Sequence, residues 1–169
     1  MTGWWAAAFV VQWVLVVVLC VVVVALARQV GTLHLRLGPR GALEIDTEGP
    51  PLGEAPPPRP VRLDGGGQLM LGGPGAPRLV LFVSPTCSIC EEVKPSVPAA
   101  ASSAGLAAQL VHDPDAERMW NVPGTPFAVV MDGTGVVQAK GTVNNLEQLE
   151  GLVDTAERRI SDDLERRAG

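Results

Sequence analysis

The sequence predicts an α/β sandwich built on a mixed sheet, joined to one N-terminal transmembrane helix. Three observations carry this. The run from Ala6 to Ala27, AAAFVVQWVLVVVLCVVVVALA, is uncharged and holds one strongly polar residue, Gln12. From Val61 onward, short apolar runs alternate with helix-compatible segments in the order strand, helix, strand, helix, hairpin, helix, preceded by an extra hairpin. That order suits helices packed against a sheet with both parallel and antiparallel neighbours. Finally, the pair Cys87-Ser88-Ile89-Cys90 follows directly on the most continuous of those runs, Arg78 to Val83.

The apolar run is long enough to span a bilayer. Its 22 residues make a helix of about 33 Å, against a hydrocarbon core of about 30 Å. Trp4, Trp5 and Trp13 suit an interfacial position or the adjoining apolar face. Ala25-Leu26-Ala27 has the form of a signal-peptidase site, but the first five residues carry no Lys or Arg and the run is long for a signal peptide. An uncleaved anchor is expected. Arg28, Arg36 and Arg40 follow the span with no basic residue before it, so the positive-inside rule alone places the rest of the chain in the cytoplasm. Residues 28–45 read as a juxtamembrane helix turn and loop, with His34 as an isolated interfacial polar group. Gly49 to Pro60, GPPLGEAPPPRP, reads as a semi-rigid spacer, because each Pro lacks an N–H and fixes its own φ. The expected organisation is an anchor at 1–27, a juxtamembrane segment and linker at 28–60, a globular domain at 61–158 and a charged tail at 159–169.

Within the domain, Val61-Arg62-Leu63, a glycine turn and Gln68 to Leu71 predict a hairpin. Arg78 to Val83 is the pattern of a strand buried on both faces, ended by Ser84-Pro85. Cys87 to Ala104 is helix-compatible, with Pro95 and Pro98 expected to kink or split it. Leu106 to Val111 is a second strand. Asp113 caps a short helix opened by Pro114, with Met119, Trp120 and Val122 as its apolar face. Phe127 to Met131, the turn Asp132 to Gly135 and Val136 to Lys140 form a hairpin. Asn144 or Asn145 caps a last helix with Leu146, Leu149, Leu152 and Val153 on one face. Ser161 to Gly169 reads as frayed chain or an exposed helical extension.

Composition narrows the chemistry. A net charge of −5, no Lys/Arg run and 4% aromatic residues leave no electrostatic footprint for nucleic acid. Three cysteines, one close pair and an outlier, are no framework of structural disulfides. Cys20 lies in the apolar run as a core or lipid-facing thiol, and Leu19 before it argues against a lipoprotein site. Cys87, at a helix N-terminus, meets unpaired N–H groups that favour its thiolate; such thiols titrate at about 3.5 to 7.5. Cys90, one turn on, is placed to resolve a mixed disulfide. A zinc site would need two further ligands, and His34 and His112 are isolated. A structural disulfide across two residues would stabilise little. Redox exchange is the favoured reading, with no metal and no cofactor.

LVLFVSPTCSIC at 79–90 and VPGTPFAVVMDGTGVVQAKG at 122–141 together resemble the thioredoxin superfamily. The resemblance implies a three-layer thioredoxin-like sandwich in which Thr125-Pro126 is the cis-proline motif, packed beside the cysteines, with the backbone of Thr125 pairing with bound client. Pro95 matches the helix-kinking proline of that fold. Peroxide-reducing relatives carry a Pro where this chain has Val80, which argues against peroxidase activity. More narrowly, residues 25–43, the following GPPLGEAPP and AKGTVNNLEQLEGL at 139–152 resemble the MauD family of methylamine-utilisation accessory proteins. That resemblance implies an extracytoplasmic domain forming, reducing or isomerising disulfides in the light subunit of methylamine dehydrogenase. The chain departs from it between Ala104 and Asn121, which is shorter than in MauD and TlpA-like proteins, and at Thr86, where reductive thioredoxins carry Trp.

The expected function is a membrane-anchored thiol–disulfide oxidoreductase with Cys87 as nucleophile, Cys90 as resolving thiol and Thr125-Pro126 as client contact. Its expected partners are client thiols or disulfides, a second redox protein and the lipid bilayer. Two alternatives stay open: a TlpA-like reductase in cytochrome c maturation, and a thioredoxin-like binding or chaperone module without turnover.

Overall fold

The computed structural model describes residues 3–36 and 47–168, and the chain divides into two compact units, residues 1–38 and 39–169. The described residues of the first form a single helix, α1 (Gly3–Arg36). Its segment Gly3–Val23 is long and apolar enough to cross a membrane. The helix runs through Gly31 to Arg36 instead of breaking soon after Ala27, since one interior Gly costs a helix only about 1 kcal/mol. Gly38, Pro39, Arg40 and Gly41, the rest of the expected loop, lie outside the described residues.

The second unit carries β1 (Arg59–Arg62), β2 (Gln68–Leu71), β3 (Arg78–Phe82), α2 (Ser88–Val93), α3 (Val97–Ser103), β4 (Ala107–Val111), α4 (Pro114–Met119), β5 (Phe127–Met131), β6 (Val137–Thr142) and α5 (Leu146–Ala168). The central sheet has the order β4-β3-β5-β6. Strands β3 and β4 are parallel; β5 runs antiparallel to β3 and to β6. The hairpin β1–β2 joins the β4 edge through an antiparallel bridge, Leu63 to Val111.

Alternation along β3 and β5 sorts the core into two layers. Leu79, Leu81, Ala128 and Val130 face α2, α3 and α5, packing with Val93, Val97, Leu149, Leu152 and Ala156. Val80, Phe82, Phe127, Val129 and Met131 face the hairpin and α4, packing with Val61, Leu71, Ala116 and Trp120. Strands covered on both faces read as continuous apolar runs, as β3 does. The chain is therefore a thioredoxin-like α/β fold with one N-terminal apolar helix.

Three expectations need correction. The Pro-rich stretch does not stand off as a spacer. Gly49 N–H donates to the Asn121 carbonyl at 2.8 Å, Gly53 N–H to Val137 at 2.9 Å, and Val137 N–H to Glu54 at 2.9 Å. The prolines cannot donate, so the glycines between them do, and both adopt positive φ. Met119 is not on the buried face of α4. It is 61% exposed, while Ala116 and Trp120, spaced i and i+4, form that face. Leu146, at the first position of α5, is likewise exposed, and the helix buries Leu149, Leu152 and Val153. Asn145, not Asn144, accepts the Gln148 N–H at 2.9 Å and caps it.

Candidate active site

The site is built where β3 ends. The Val83 N–H continues the ladder to the Val111 carbonyl at 2.9 Å, after which Ser84-Pro85-Thr86 turns and the Cys87 N–H donates to the Ser84 carbonyl at 3.1 Å. Cys87 is the extended N-cap residue of α2, with φ −95° and ψ 104°. Its Sγ accepts the Cys90 N–H at 3.1 Å, doing with sulfur what an Asp or Ser oxygen does at other helix starts. The helix cannot run on, because Pro95 and Pro98 remove two donors. It tightens into a 3₁₀ turn at Lys94–Ser96 and resumes as α3. The split is the one expected.

Cys87 and Cys90 form a disulfide with Cα atoms 5.3 Å apart. Their burial is unequal. Cys90 is fully buried in the layer that holds Val83, Val93 and Val97, whereas Cys87 is only half-buried against it. Of the two, Cys87 is the one an incoming group can reach.

Thr125-Pro126 reaches the pair through the antiparallel register. Phe127, the first residue of β5, pairs with Phe82, the last of β3, so the residues just before β5 lie beside the turn just after β3. The Thr125–Pro126 peptide bond is cis. The Thr125 carbonyl oxygen lies 3.5 Å from Cys87 Sγ, and Pro126 is buried, its carbonyl accepting the Val143 N–H at 3.3 Å. Structure thus brings together all four residues that sequence singled out. In the oxidised form the Cys87 sulfur lies between an N–H donor, that of Cys90, and a carbonyl oxygen, that of Thr125.

Lys94, just past α2, is mostly covered, its Nζ 2.7 Å from Glu91 and 2.9 Å from Asp64 in the β1–β2 turn. The hydrogen bonds from Glu91 and Asp64 hold the Lys94 ammonium above its usual range. Spacing signals the Glu91 contact, three residues back; nothing in sequence signals Asp64. His112 directly follows β4, its Nδ1 3.0 Å from the Val83 carbonyl just past β3. Asp113 beside it accepts N–H groups from Arg62, Asp115 and Ala116 at 3.1, 3.1 and 3.3 Å. Burial pushes this carboxyl up, but those three donors and the Arg62 guanidinium outweigh it and hold it below the usual carboxylate range. Glu117 goes the other way: burial raises it, Asp113 adds to the rise and His112 opposes it.

No family model matches the chain. Its sequence is 30% identical over 174 residues to "Methylamine utilization protein MauD" of Methylorubrum extorquens, covering 88% of this chain and 84% of that protein. The protein of the same description from Methylobacillus flagellatus is 30% identical over 180 residues, covering 91% and 87%. The Paracoccus denitrificans protein is 29% identical over 185 residues, covering 91% and 90%. Among solved structures, one described as a DsbE-type thiol:disulfide interchange protein of Chlorobium tepidum superposes with a TM-score of 0.52 at 15% identity, covering 66% of this chain and 99% of its own. One described as a protein disulfide isomerase of Bacteroides thetaiotaomicron gives 0.53 at 18% identity, covering 73% and 99%. At such identities these two establish the shared thioredoxin-like fold and nothing further.

Proposed function

The chain belongs to the MauD family of methylamine utilization proteins, and from that premise we propose that it is a membrane-anchored thiol–disulfide oxidoreductase acting through Cys87 and Cys90 on an extracytoplasmic client. The observation that carries this reading is the unequal cysteine pair beside the cis Thr125-Pro126 bond. Exchange needs one sulfur open to attack and a second held one turn behind it. In the oxidised form a client thiolate attacks Cys87 Sγ, the bond to Cys90 breaks, and Cys90 leaves as a thiolate. A second client thiolate then closes the client disulfide and releases Cys87. Two electrons and two protons pass from client to protein, and the reverse sequence reduces a client disulfide. Thr125 lends its backbone to the client strand during both steps.

Anchoring is supported by the length and apolarity of Gly3–Val23. The extracytoplasmic side is supported by the family, and the light subunit of methylamine dehydrogenase is the client that membership suggests. The purified full-length protein tests the chemistry. Mixed in oxidised form with a dithiol peptide, it oxidises one equivalent of peptide per protein. Cys87→Ser abolishes this, while reduced Cys90→Ser, given the disulfide form of the peptide, attacks it through Cys87 and stops at the mixed disulfide, because no second thiol is present to release the peptide. If Cys87→Ser oxidises the peptide as fast as the unaltered protein does, the reading is wrong.

A further inference from the structure

Thiol chemistry makes no use of Gln12, the one strongly polar side chain in the apolar run of α1. It lies nine residues from Gly3 and eleven from Val23, about 13 and 16 Å along the axis from the ends of the spanning segment. Counted from Ala6, it is still about 9 Å inside. At that depth its amide cannot reach the headgroups as long Lys and Arg side chains do. The amide holds two donors and an acceptor, and nothing among the described residues hydrogen-bonds to it. In hydrocarbon no water replaces the missing partner.

The surroundings of Gln12 have a pattern. Trp5, Gln12 and Leu19 recur every seven residues, with Ala8 and Leu15 three further on, the a and d positions of a left-handed helix pair. Ala8 is small enough to let two backbones approach beside Gln12. Phe9 and Trp13 pack edge to face on each other, ring centroids 6.1 Å apart, to one side of this seam. The opposite side is valine.

We infer that α1 pairs in parallel with α1 of a second copy of this chain along this seam, Gln12 donating to and accepting from its counterpart. A second copy fits because the amide is self-complementary. A two-fold axis satisfies both side chains with one residue at one depth, whereas an unrelated helix would need its own polar group there. The uncharged span adds no repulsion between copies. The inference rests on α1 being a membrane anchor.

Oxidative cross-linking of the full chain in its membranes tests it. Single cysteines are placed by Leu15→Cys, Val17→Cys and Leu19→Cys in a background carrying Cys20→Ser, Cys87→Ser and Cys90→Ser. Leu19→Cys is expected to give the most covalent dimer, Leu15→Cys less, and Val17→Cys least. Adding Gln12→Leu should weaken dimerisation about three- to twenty-fold, and Gln12→Asn should preserve it. Equal cross-linking at Val17 and Leu19, indifference to Gln12→Leu, or an adduct with the mass of another protein overturns the pairing. Carbonate extraction of the same samples separates the two failures. Release from the membrane refutes the anchor, whereas retention with a flat cross-linking pattern refutes the pairing alone.

Discussion

Cys87 serves two structural roles with one sulfur atom: it forms half of the disulfide and caps α2 through the Cys90 N–H. Its place was legible because a strand end, a two-residue spacing and a later Thr-Pro are local signals. The contacts of Lys94 with Asp64 and of His112 with Val83 were not, because each pair meets only through the fold. Asp113 was legible as a cap, but not as the acceptor that also holds the Arg62 N–H. Asp113→Ala should cost about 2–4 kcal/mol at pH 7, adding a lost cap to the loss of the acceptor for the part-buried Arg62 N–H. Because the folded carboxyl titrates below its ordinary value, the ionised group's contribution is complete above about pH 4 and fades as pH falls through the lower folded value. Urea unfolding at pH 7 and pH 3 should therefore show the gap between wild type and variant narrowing in acid. Glu117 is the opposite case. Its raised folded value means the carboxylate opposes folding once pH exceeds that value and imposes no penalty below its unfolded one. Glu117→Gln should leave stability unchanged near pH 3 and raise the unfolding midpoint at pH 7.

Elements were predicted best where period and breakers agree. The strand at 78–82, the helix split at Pro95 and the final hairpin each combine an apolar pattern with a Pro, Gly or Asp stop. The Pro-rich strap was misread because composition describes what prolines cannot do and not what the glycines between them can. Gly49 is the sharpest instance: it adopts φ +71°, and a Cβ there would lie 2.6 Å from the Phe127 ring. Gly49→Ala should cost roughly 2–4 kcal/mol, combining left-handed backbone with overpacking. The denaturation midpoint measures this, and since Phe127 directly follows Pro126, exchange with a dithiol peptide should slow as well. Were the strap a free spacer, the same substitution would change neither. Met119 was placed on the core side of α4 because it is apolar, yet six residues offer only one buried row, taken by Ala116 and Trp120.

At the scale of the whole molecule, α1 and the thioredoxin-like unit were both legible, since a long uncharged apolar run and an alternation of strands and helices are long-range patterns. The side of the membrane was not, because three arginines after the span and the family resemblance point opposite ways. An alkaline phosphatase fusion after Ala168 is expected to be active and a fluorescent-protein fusion dark. The converse would put the cysteines in the cytoplasm. Whether Cys87 passes electrons to or from a client outside the cytoplasm is decided by trapping with Cys90→Ser in cells that express the chain. The variant should accumulate disulfide-linked adducts through Cys87, lost on reduction and on adding Cys87→Ser, with an exported protein as the linked partner. A Cys90→Ser chain that accumulates no such adduct, or the same adducts without Cys87, would contradict the account.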